Sequence, residues 1–204
     1  MRPTILIALA SLLALPAAAE RVPQVKTVTL SNGLTILLRE DHAVPLVAVE
    51  LRTRAGSAWD PAGQDGLASL TATLLTHGTA TRTEDQVSDD VARLGAALSS
   101  YAGTETLRVS GDVPTIETTA LSSYLEILAD VALRPTFPAA NFNKAQTRRL
   151  GQLEGLVDAR SALADRAFKK ATFGTHLYGR SGSGTLKSVT ALKRQSVVAY
   201  HTAN

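Results

Sequence analysis

Hydrophobic and polar positions near the start of the folded region alternate in short runs, which is typical of β-strands. Apolar runs at 28–30 and 34–39 flank Ser31-Asn32-Gly33 and predict a β-hairpin. An Asn-Gly turn of the common two-residue type places both central residues at positive φ. Residues 46–53 alternate again and predict a third strand, which begins after Pro45, where a missing N–H costs least.

Residues 66–79 carry the first helical pattern, and this helix has two contrasting faces. Leu67, Leu70 and Leu74 recur at i, i+3 and i+7, the spacing of one apolar stripe. The neighbouring face holds only small side chains without a titratable group, namely Ser69, Ala72, Thr73 and Thr76. One face therefore predicts packing into a core, while the other offers no group for acid–base chemistry.

The remaining pattern predicts further helices and strands. They are a helix opened by the capping box Thr83-Glu84-Asp85-Gln86 and ending near Gly95, strands over 98–101 and 104–110, a helix from Pro114 to Arg134, a long helix over 138–173 weakened by Gly151 and Gly155, a flexible loop over 178–184, and a last helix over 188–200. This order favours an α+β fold, with an antiparallel or mixed sheet covered by helices. Because no strand pattern follows the last helix, we expect a fragment truncated at its C-terminal end.

Residues 1–19 have the layout of a secretory signal peptide. Arg2 gives a positive start, the apolar run 5–15 is too short for a stable membrane anchor, and Ala17-Ala18-Ala19 offers small residues to a signal peptidase. A buried N-terminal helix is the alternative. Cleavage after Ala19 would leave a domain of residues 20–204 without a membrane anchor, and we expect this domain to be secreted, into a bacterial periplasm above all.

Composition and charge exclude several kinds of site. The formal net charge is +3 and no long Lys/Arg run occurs, so we expect no nucleic-acid partner. We interpret the pair Arg148-Arg149 as a solvated helix face. The sequence contains no cysteine, which excludes disulfides, thiolate metal sites and a lipid anchor on cysteine.

The residues alone reveal no familiar catalytic set. No two of the four histidines lie at the i+3 or i+4 spacing that would place both on one helix face, so a helical zinc pair is excluded. The G-x-S-x-G nucleophile elbow does not occur. Asp89-Asp90 lies on an exposed, capped helix and does not predict a pair of acid–base carboxylates.

Short motifs follow one another in an informative order. They are D-x-x-G-x-x-G-L-A from Asp60 to Ala68, Gly78-Thr79 at a helix end, Gly95-Ala96-Ala97-Leu98-Ser99-Ser100, Leu133-Arg134-Pro135-Thr136-Phe137-Pro138, and His176-Leu177-Tyr178-Gly179. Each motif is weak by itself. The ordered set closely resembles the N-terminal domain of the M16 metallopeptidases, the insulinase, pitrilysin and mitochondrial-processing-peptidase family, and it covers nearly all of residues 20–204.

The resemblance implies a zinc site that this chain has lost. Active members of the family carry His-x-x-Glu-His on the helix after G-L-A, where both histidines bind zinc and the glutamate is the general base. The matching positions here are Ser69, Ala72 and Thr73. A third ligand, a glutamate, falls near residues 150–153, where Gln152 stands. We therefore expect no metal ligand and no catalytic residue in this chain.

The resemblance also implies a function without catalysis. Family members work as paired halves that close around a chamber, and in several of them one half lacks the zinc motif. We expect this chain to pair with an active subunit that carries His-x-x-Glu-His and the zinc, and to help enclose extended peptides. A peptide would add to the edge of the strand Leu98-Ser99-Ser100-Tyr101 through main-chain hydrogen bonds. An ordinary core strand with a covered edge is the alternative.

Two other functions stay open at this point. The first is a structural or binding module that kept the fold without proteolysis, and its partner would lack the zinc motif. The second is an active peptidase with an atypical site, which would hold zinc tightly. The zinc content of the purified protein and the sequence of its partner distinguish these functions from a non-catalytic subunit.

Overall fold

The computed structural model describes residues 24–204 and divides into two compact units at the junction of Val44 and Pro45. The predicted signal peptide, residues 1–19, lies outside the described residues. In the part of the chain that is described, no helix is long and apolar enough to cross a membrane. The hydrophobic core lies in the unit that begins at Pro45.

The predicted hairpin is present in the smaller unit, but its turn differs from the predicted type. Strands β1 (Val25–Thr29) and β2 (Thr35–Arg39) pair in antiparallel orientation. The Leu30 amide donates to the Leu34 carbonyl (2.9 Å), so the loop has three residues instead of two. Only Gly33 in this loop has a positive φ, 87°. A three-residue loop needs one left-handed residue after its type I turn, and glycine adopts that conformation without strain.

Three antiparallel strands form the sheet of the larger unit, in the order β3-β5-β4. Strand β3 spans Leu46–Thr53, β4 spans Ser99–Ala102 and β5 spans Leu107–Pro114. Strand β5 begins later than predicted because residues 103–106 form the turn, in which the Gly103 amide donates to the Thr106 carbonyl (2.9 Å). The antiparallel sheet and its covering helices confirm the predicted α+β class.

Pro114 ends β5, and the prediction that it begins a helix is wrong. It lies opposite Leu46, and the next amide, that of Thr115, donates to the Pro45 carbonyl (2.9 Å). Alternate residues of an antiparallel strand bond to the same neighbour, so the nitrogen of Pro114 faces away from β3. The proline therefore removes no bond between β3 and β5, and the helix begins only at Ala120.

Seven α-helices are present in residues 24–204. They are α1 (Leu67–Leu74), α2 (Glu84–Arg93), α3 (Ala120–Leu133), α4 (Ala139–Glu154), α5 (Arg160–Phe173), α6 (Leu186–Ala191) and α7 (Arg194–Ala203). The predicted capping box begins α2, where the backbone amide of Gln86 donates to the Thr83 hydroxyl (3.2 Å). Helix α1 is shorter than the pattern over 66–79 predicts.

Two helices predicted as continuous are divided. The stretch 138–173 forms α4 and α5, which are separated by a 3-10 turn over Gly155–Asp158. The stretch 188–200 belongs to α6 and α7, because Leu192 adopts an extended backbone with ψ of 140°. Helix α6 also begins earlier than predicted, since Thr185 and Ser188 form a second capping box. No proline marks either break, so the sequence lacks the strongest signal for the end of a helix at these points.

Helix α1 lies at the centre of the core. Its stripe Leu67, Leu70 and Leu74 is buried, as the pattern predicts, and the helix contacts β4, β5, α4 and α7. Helix α3 packs on the same face of the sheet, where its buried Tyr124 donates its hydroxyl to the Ala97 carbonyl (2.9 Å) beside Gly111 of β5. A buried helix with four neighbours is positioned rigidly, because close packing leaves few alternative arrangements.

Gly111 in β5 permits the closest backbone approach in this part of the fold. A Cβ atom on this residue would lie 1.9 Å from the Ala97 carbonyl oxygen and 2.5 Å from the Tyr124 hydroxyl oxygen. Both distances are far inside van der Waals contact, so only glycine fits here. The close approach allows the backbone amide of Ala97 to donate a hydrogen bond to the Asp112 carbonyl (2.8 Å) at the start of the β4–β5 pairing.

Replacement of Gly111 by alanine is expected to lower the free energy of unfolding by about 2–3 kcal/mol, because the new methyl group forces the strands and Tyr124 apart. The matched control is Gly151→Ala in α4, where an added Cβ meets no atom within 4 Å. That change should stabilise the protein by about 0.5–1 kcal/mol through helix propensity. Urea unfolding followed by circular dichroism measures both. Equal effects of the two substitutions would contradict the packing at Gly111.

Candidate functional site

The start of α1 is fixed by a carboxylate from outside the helix. Asp60 is buried and accepts hydrogen bonds from the amides of Gly66 (2.8 Å) and Ala68 (2.7 Å). These amides belong to the helix start, where backbone donors have no partner inside the helix. Gly66 has a φ of 95°, which turns the chain sharply into the helix. The D-x-x-G-x-x-G-L-A motif is thus a loop whose aspartate caps the helix that follows.

Arg180 holds this loop from the opposite side. Its guanidinium donates to Asp65 Oδ1 (2.6 Å) and to the carbonyls of Asp60 (2.7 Å) and Pro61 (3.0 Å). Arg166 of α5 holds the following residues, donating to the Ser181 hydroxyl (2.5 Å) and to a nearby backbone carbonyl. The loop predicted to be flexible, 178–184, is therefore bonded to both the capping loop and α5.

The polar face of α1 lines a cleft of about 630 Å³, which we call the α1–β4 cleft. Its walls are α1, the end of β4, Arg149 of α4, one face of α5 and residues 178–183. Ser69 and Thr73 are half-buried in its floor, and Ala72 is buried. The structure thus brings together the three positions at which the family resemblance places metal ligands and a general base.

Arg149 reaches this floor, and the sequence interpretation missed it. Its Nη2 donates to the Ser69 hydroxyl (3.0 Å), and its side chain is half-buried. Gln152, predicted as the third-ligand position, is exposed on α4 and does not line the cleft. The interpretation of Arg149 as part of a solvated face is wrong. Its helical spacing from the buried Ala145 and Leu153, at i−4 and i+4, was the available signal.

The zinc ion that the resemblance implies does not fit these side chains. The Thr73 hydroxyl donates to the Ser69 carbonyl (2.9 Å) inside the helix, and the Ser69 hydroxyl accepts from Arg149. Ala72 has no group that binds a metal or a proton. Throughout residues 24–204 as described, no three His, Cys, Asp or Glu side chains are placed to hold a metal ion. A guanidinium in the floor also repels a dication.

Strand β4 lies at the edge of the sheet and leaves half of its backbone groups unpaired with β5. The amides of Ala97 and Gly103 donate towards the β5 side, to Asp112 and Thr106. By the alternation of an antiparallel ladder, the backbone groups of Ser100 and Ala102 point to the opposite edge. No strand among the described residues pairs with that edge.

The residues predicted to bind peptide divide between the strand and its approach. Leu98 precedes β4 and is absent from the cleft wall, and Ser99 is exposed with its hydroxyl donating to the Ser110 carbonyl (3.2 Å). Ser100 and Tyr101 line the cleft. The Ser100 hydroxyl donates to a carbonyl of α1, that of Ala72 (2.6 Å), and fixes the strand against the helix.

Burial perturbs the acid that caps α1. Burial of Asp60 away from solvent raises its pKa from 3.8 to about 6. The two backbone hydrogen bonds and the charge of Arg180 favour the carboxylate and lower the pKa, but their effect is smaller. Between these values the folded protein holds a proton that the unfolded chain has released. The contribution of Asp60 to stability therefore falls as the pH rises through this window.

Comparison with known proteins identifies the fold. Residues 35–185 match the family model described as insulinase (peptidase family M16). A structure titled as the peptidase M16 inactive domain from Pseudomonas fluorescens superposes with a TM-score of 0.83 at 25% identity, covering 87% of this chain and 43% of that one. A protease structure from Helicobacter pylori, at 17% identity and a TM-score of 0.78, shares the fold over 88% of this chain and 43% of its own.

Curated relatives are described as uncharacterized zinc proteases. The relative from Rickettsia bellii is 26% identical over 84% of this chain, and the one from Mycobacterium leprae is 27% identical over 90%. The relative from Bacillus subtilis is 22% identical over 86%. The chain spans about two fifths of the length of these relatives, between 40% and 42%.

Replacement of Asp60 by asparagine is expected to destabilise the protein by about 1–2 kcal/mol, because an amide oxygen cannot accept from both helix amides. The loss should be largest near pH 4 and smaller at pH 6 and above, where the buried charge already weakens the wild type. Unfolding free energies measured from pH 4 to 7 give the difference. A difference that grows with pH would contradict the raised pKa.

Restoring ligands to the cleft floor should restore zinc binding. The variant Ser69→His/Thr73→His/Arg149→Glu places two imidazoles one turn apart and a carboxylate where a side chain already reaches Ser69. We expect about one zinc per chain by atomic emission after dialysis. The matched variant, Ser69→His/Thr73→His/Gln152→Glu, keeps the Arg149 cation and should bind little zinc. Stronger binding by the Gln152 variant would contradict this geometry.

Proposed function

This chain belongs to the insulinase family of peptidases, M16, and we propose that it is a non-catalytic member that binds extended peptides for an active zinc subunit. The observation that carries the proposal is the floor of the α1–β4 cleft. Ser69, Ala72 and Thr73 stand at the positions to which the family resemblance assigns two metal ligands and a general base, and Arg149 donates a hydrogen bond to Ser69. No side chain at these positions can activate a water molecule at neutral pH.

Peptide binding is supported by the geometry of the edge strand. Peptides add to sheet edges through main-chain hydrogen bonds, while pockets beside the edge select side chains. Strand β4 offers the backbone groups of Ser100 and Ala102, and the cleft beside it is large enough for several side chains. The exposed Tyr101 ring, with the Arg108 guanidinium 5.1 Å from its centre, adds an apolar surface next to the edge.

Retention of the helix without its chemistry also supports a binding role. The stripe of α1 is buried among four neighbouring elements, whereas the substituted positions face the cleft. Side chains on these two faces change independently, since one face decides stability and the other decides what the cleft contacts. The structure titled as an inactive domain of the same family belongs to a protein that is 25% identical to this chain.

Export from the cytoplasm is part of the proposal. The layout of residues 1–19, with a positive start, an apolar run and small residues before Glu20, supports secretion to a bacterial periplasm. Because the sequence contains no cysteine, neither disulfides nor a lipidated cysteine can indicate the location. The proposed location therefore depends on the signal peptide alone. A processed N-terminus at Glu20, found by mass spectrometry of the periplasmic fraction, would support this location.

The proposed function predicts activity only in a mixture. The purified protein alone should cleave no peptide in a chelator-sensitive way, while a partner with intact His-x-x-Glu-His should gain activity when this chain is added. Tagged protein purified from its host identifies the partner. Cleavage by the isolated chain would contradict the proposal, and a stable partner without the zinc motif would favour a structural module.

The edge strand can be tested in the same mixture. Ala102→Pro removes an amide that points away from β5, so the sheet should fold while peptide addition is blocked. The control Ala102→Ser keeps the amide. We expect the proline variant to lower peptide cleavage by about tenfold at unchanged melting temperature. Equal activity of the two variants would exclude binding along this edge.

A further inference from the structure

We propose that the α1–β4 cleft selects acidic peptides, and that Arg149 binds a peptide carboxylate on the floor formed by Ser69, Ala72 and Thr73. The inference deepens the proposed function and rests on it, because it names the class of peptide that the edge strand would take. Three independent features of the cleft carry it. They are its charge, the Arg149 donors that bond to no described residue and the direction in which a bound peptide would point its side chains.

The cleft wall carries an excess of positive charge. Its charged lining residues are Arg149, Arg166, Lys169 and Arg180 against a single acid, Asp165. That acid is 2.8 Å from Lys169, and Arg180 is paired with Asp65. Because the paired charges cancel locally, the field in the cleft comes from the two remaining arginines. A positive cleft attracts anionic ligands and excludes cationic ones.

Both of these arginines lack a carboxylate partner among the described side chains. Within residues 24–156 and 159–204, no Asp or Glu oxygen lies within 4.0 Å of Arg149 or Arg166. Arg166 is already occupied, since it donates to the Ser181 hydroxyl and to the Gly184 carbonyl (2.6 Å). Arg149 is the cation that faces the cleft with donors to spare.

Arg149 makes one hydrogen bond to the described residues, the 3.0 Å contact with the Ser69 hydroxyl. Partial burial lowers the pKa of Arg149, yet a guanidinium stays charged at any physiological pH. A desolvated cation with free N–H groups binds anions strongly, and the planar guanidinium matches a carboxylate through two parallel bonds. The neighbouring Ser69 and Thr73 also line the cleft and make its floor polar beside Arg149.

A peptide on the β4 edge would present alternate side chains to this floor. Side chains on adjacent strands share the faces of the sheet, so the peptide residue opposite Ser100 lies on the same face as Ser100. That face is the α1 side, because the Ser100 hydroxyl bonds to the Ala72 carbonyl (2.6 Å). A glutamate or aspartate at this register therefore points towards α1 and Arg149.

A matched set of peptides tests the selection in the full protein. The first peptide carries one central glutamate and an amidated C-terminus, the second carries glutamine instead, and the third has glutamine with a free C-terminal carboxylate. Fluorescence anisotropy measures each dissociation constant. We expect the glutamate peptide to bind about 10- to 100-fold more tightly than the glutamine peptide, as for a charge-assisted hydrogen bond. If only the third peptide bound with this higher affinity, the site would be assigned to a terminal carboxylate.

Arginine variants locate the effect. Arg149→Gln should remove the preference for glutamate, and Arg149→Lys should keep part of it, since lysine retains the charge without the paired donors. The control Arg148→Gln removes the same charge from an exposed neighbour outside the cleft wall and should leave the preference unchanged. Arg149→Glu should reverse the preference towards a lysine peptide. Melting temperatures of all four variants confirm that each is folded.

The possible failures are distinguishable. Peptides that bind with equal affinity whatever their charge, and equally to Arg149→Gln, would overturn the inference and leave the proposed peptide binding intact. Loss of the glutamate preference in Arg148→Gln as well would also overturn it, because a general surface charge would then explain the effect. Absence of binding by every peptide, with or without the active subunit, would overturn both the inference and the proposed function.

Discussion

The site depends on the two hydrogen bonds that the Asp60 carboxylate accepts from the backbone amides of Gly66 and Ala68 at the start of α1. They fix where the helix begins and hence which of its residues face the cleft. Arg180 ties the same loop to the opposite wall through Asp65 and the Asp60 carbonyl. The floor and one wall of the cleft are therefore held by one set of contacts. Burial of the Asp60 carboxylate, which raises its pKa, is the cost of this arrangement.

Helix α1 separates stability from chemistry. Its leucine stripe is buried against the sheet and two helices, and the fold needs those residues whatever the other face does. Ala72 is buried with the core, whereas Ser69 and Thr73 are only half-buried, so a change of side chain at positions 69 and 73 leaves the leucine stripe in place. A member of a zinc peptidase family could therefore keep the complete helix without its catalytic side chains, as we propose for this chain.

The arginine in the cleft floor differs chemically from a zinc ion, although both groups carry positive charge. A zinc site presents a dication that polarises a peptide carbonyl, whereas a guanidinium is a multiple donor with no Lewis acidity. Both attract oxygen ligands, and both are positive. In the proposed function, Arg149 thus attracts oxygen ligands to the cleft floor without supplying the Lewis acid that hydrolysis needs. The open edge of β4 beside it supplies the other requirement for holding an extended chain.

The sequence by itself predicted the hairpin, the strand 46–53, the capping box of α2 and the lack of titratable side chains at positions 69, 72 and 73, because each of these depends on residues close together in the chain. Tertiary structure alone decided the rest. Pro114 fits at the end of a strand because its nitrogen faces away from β3. Arg149, and not the predicted Gln152, reaches the cleft floor because of the way α4 packs against α1. Contacts between residues 80 positions apart depend on how helices are docked, which no local periodicity encodes.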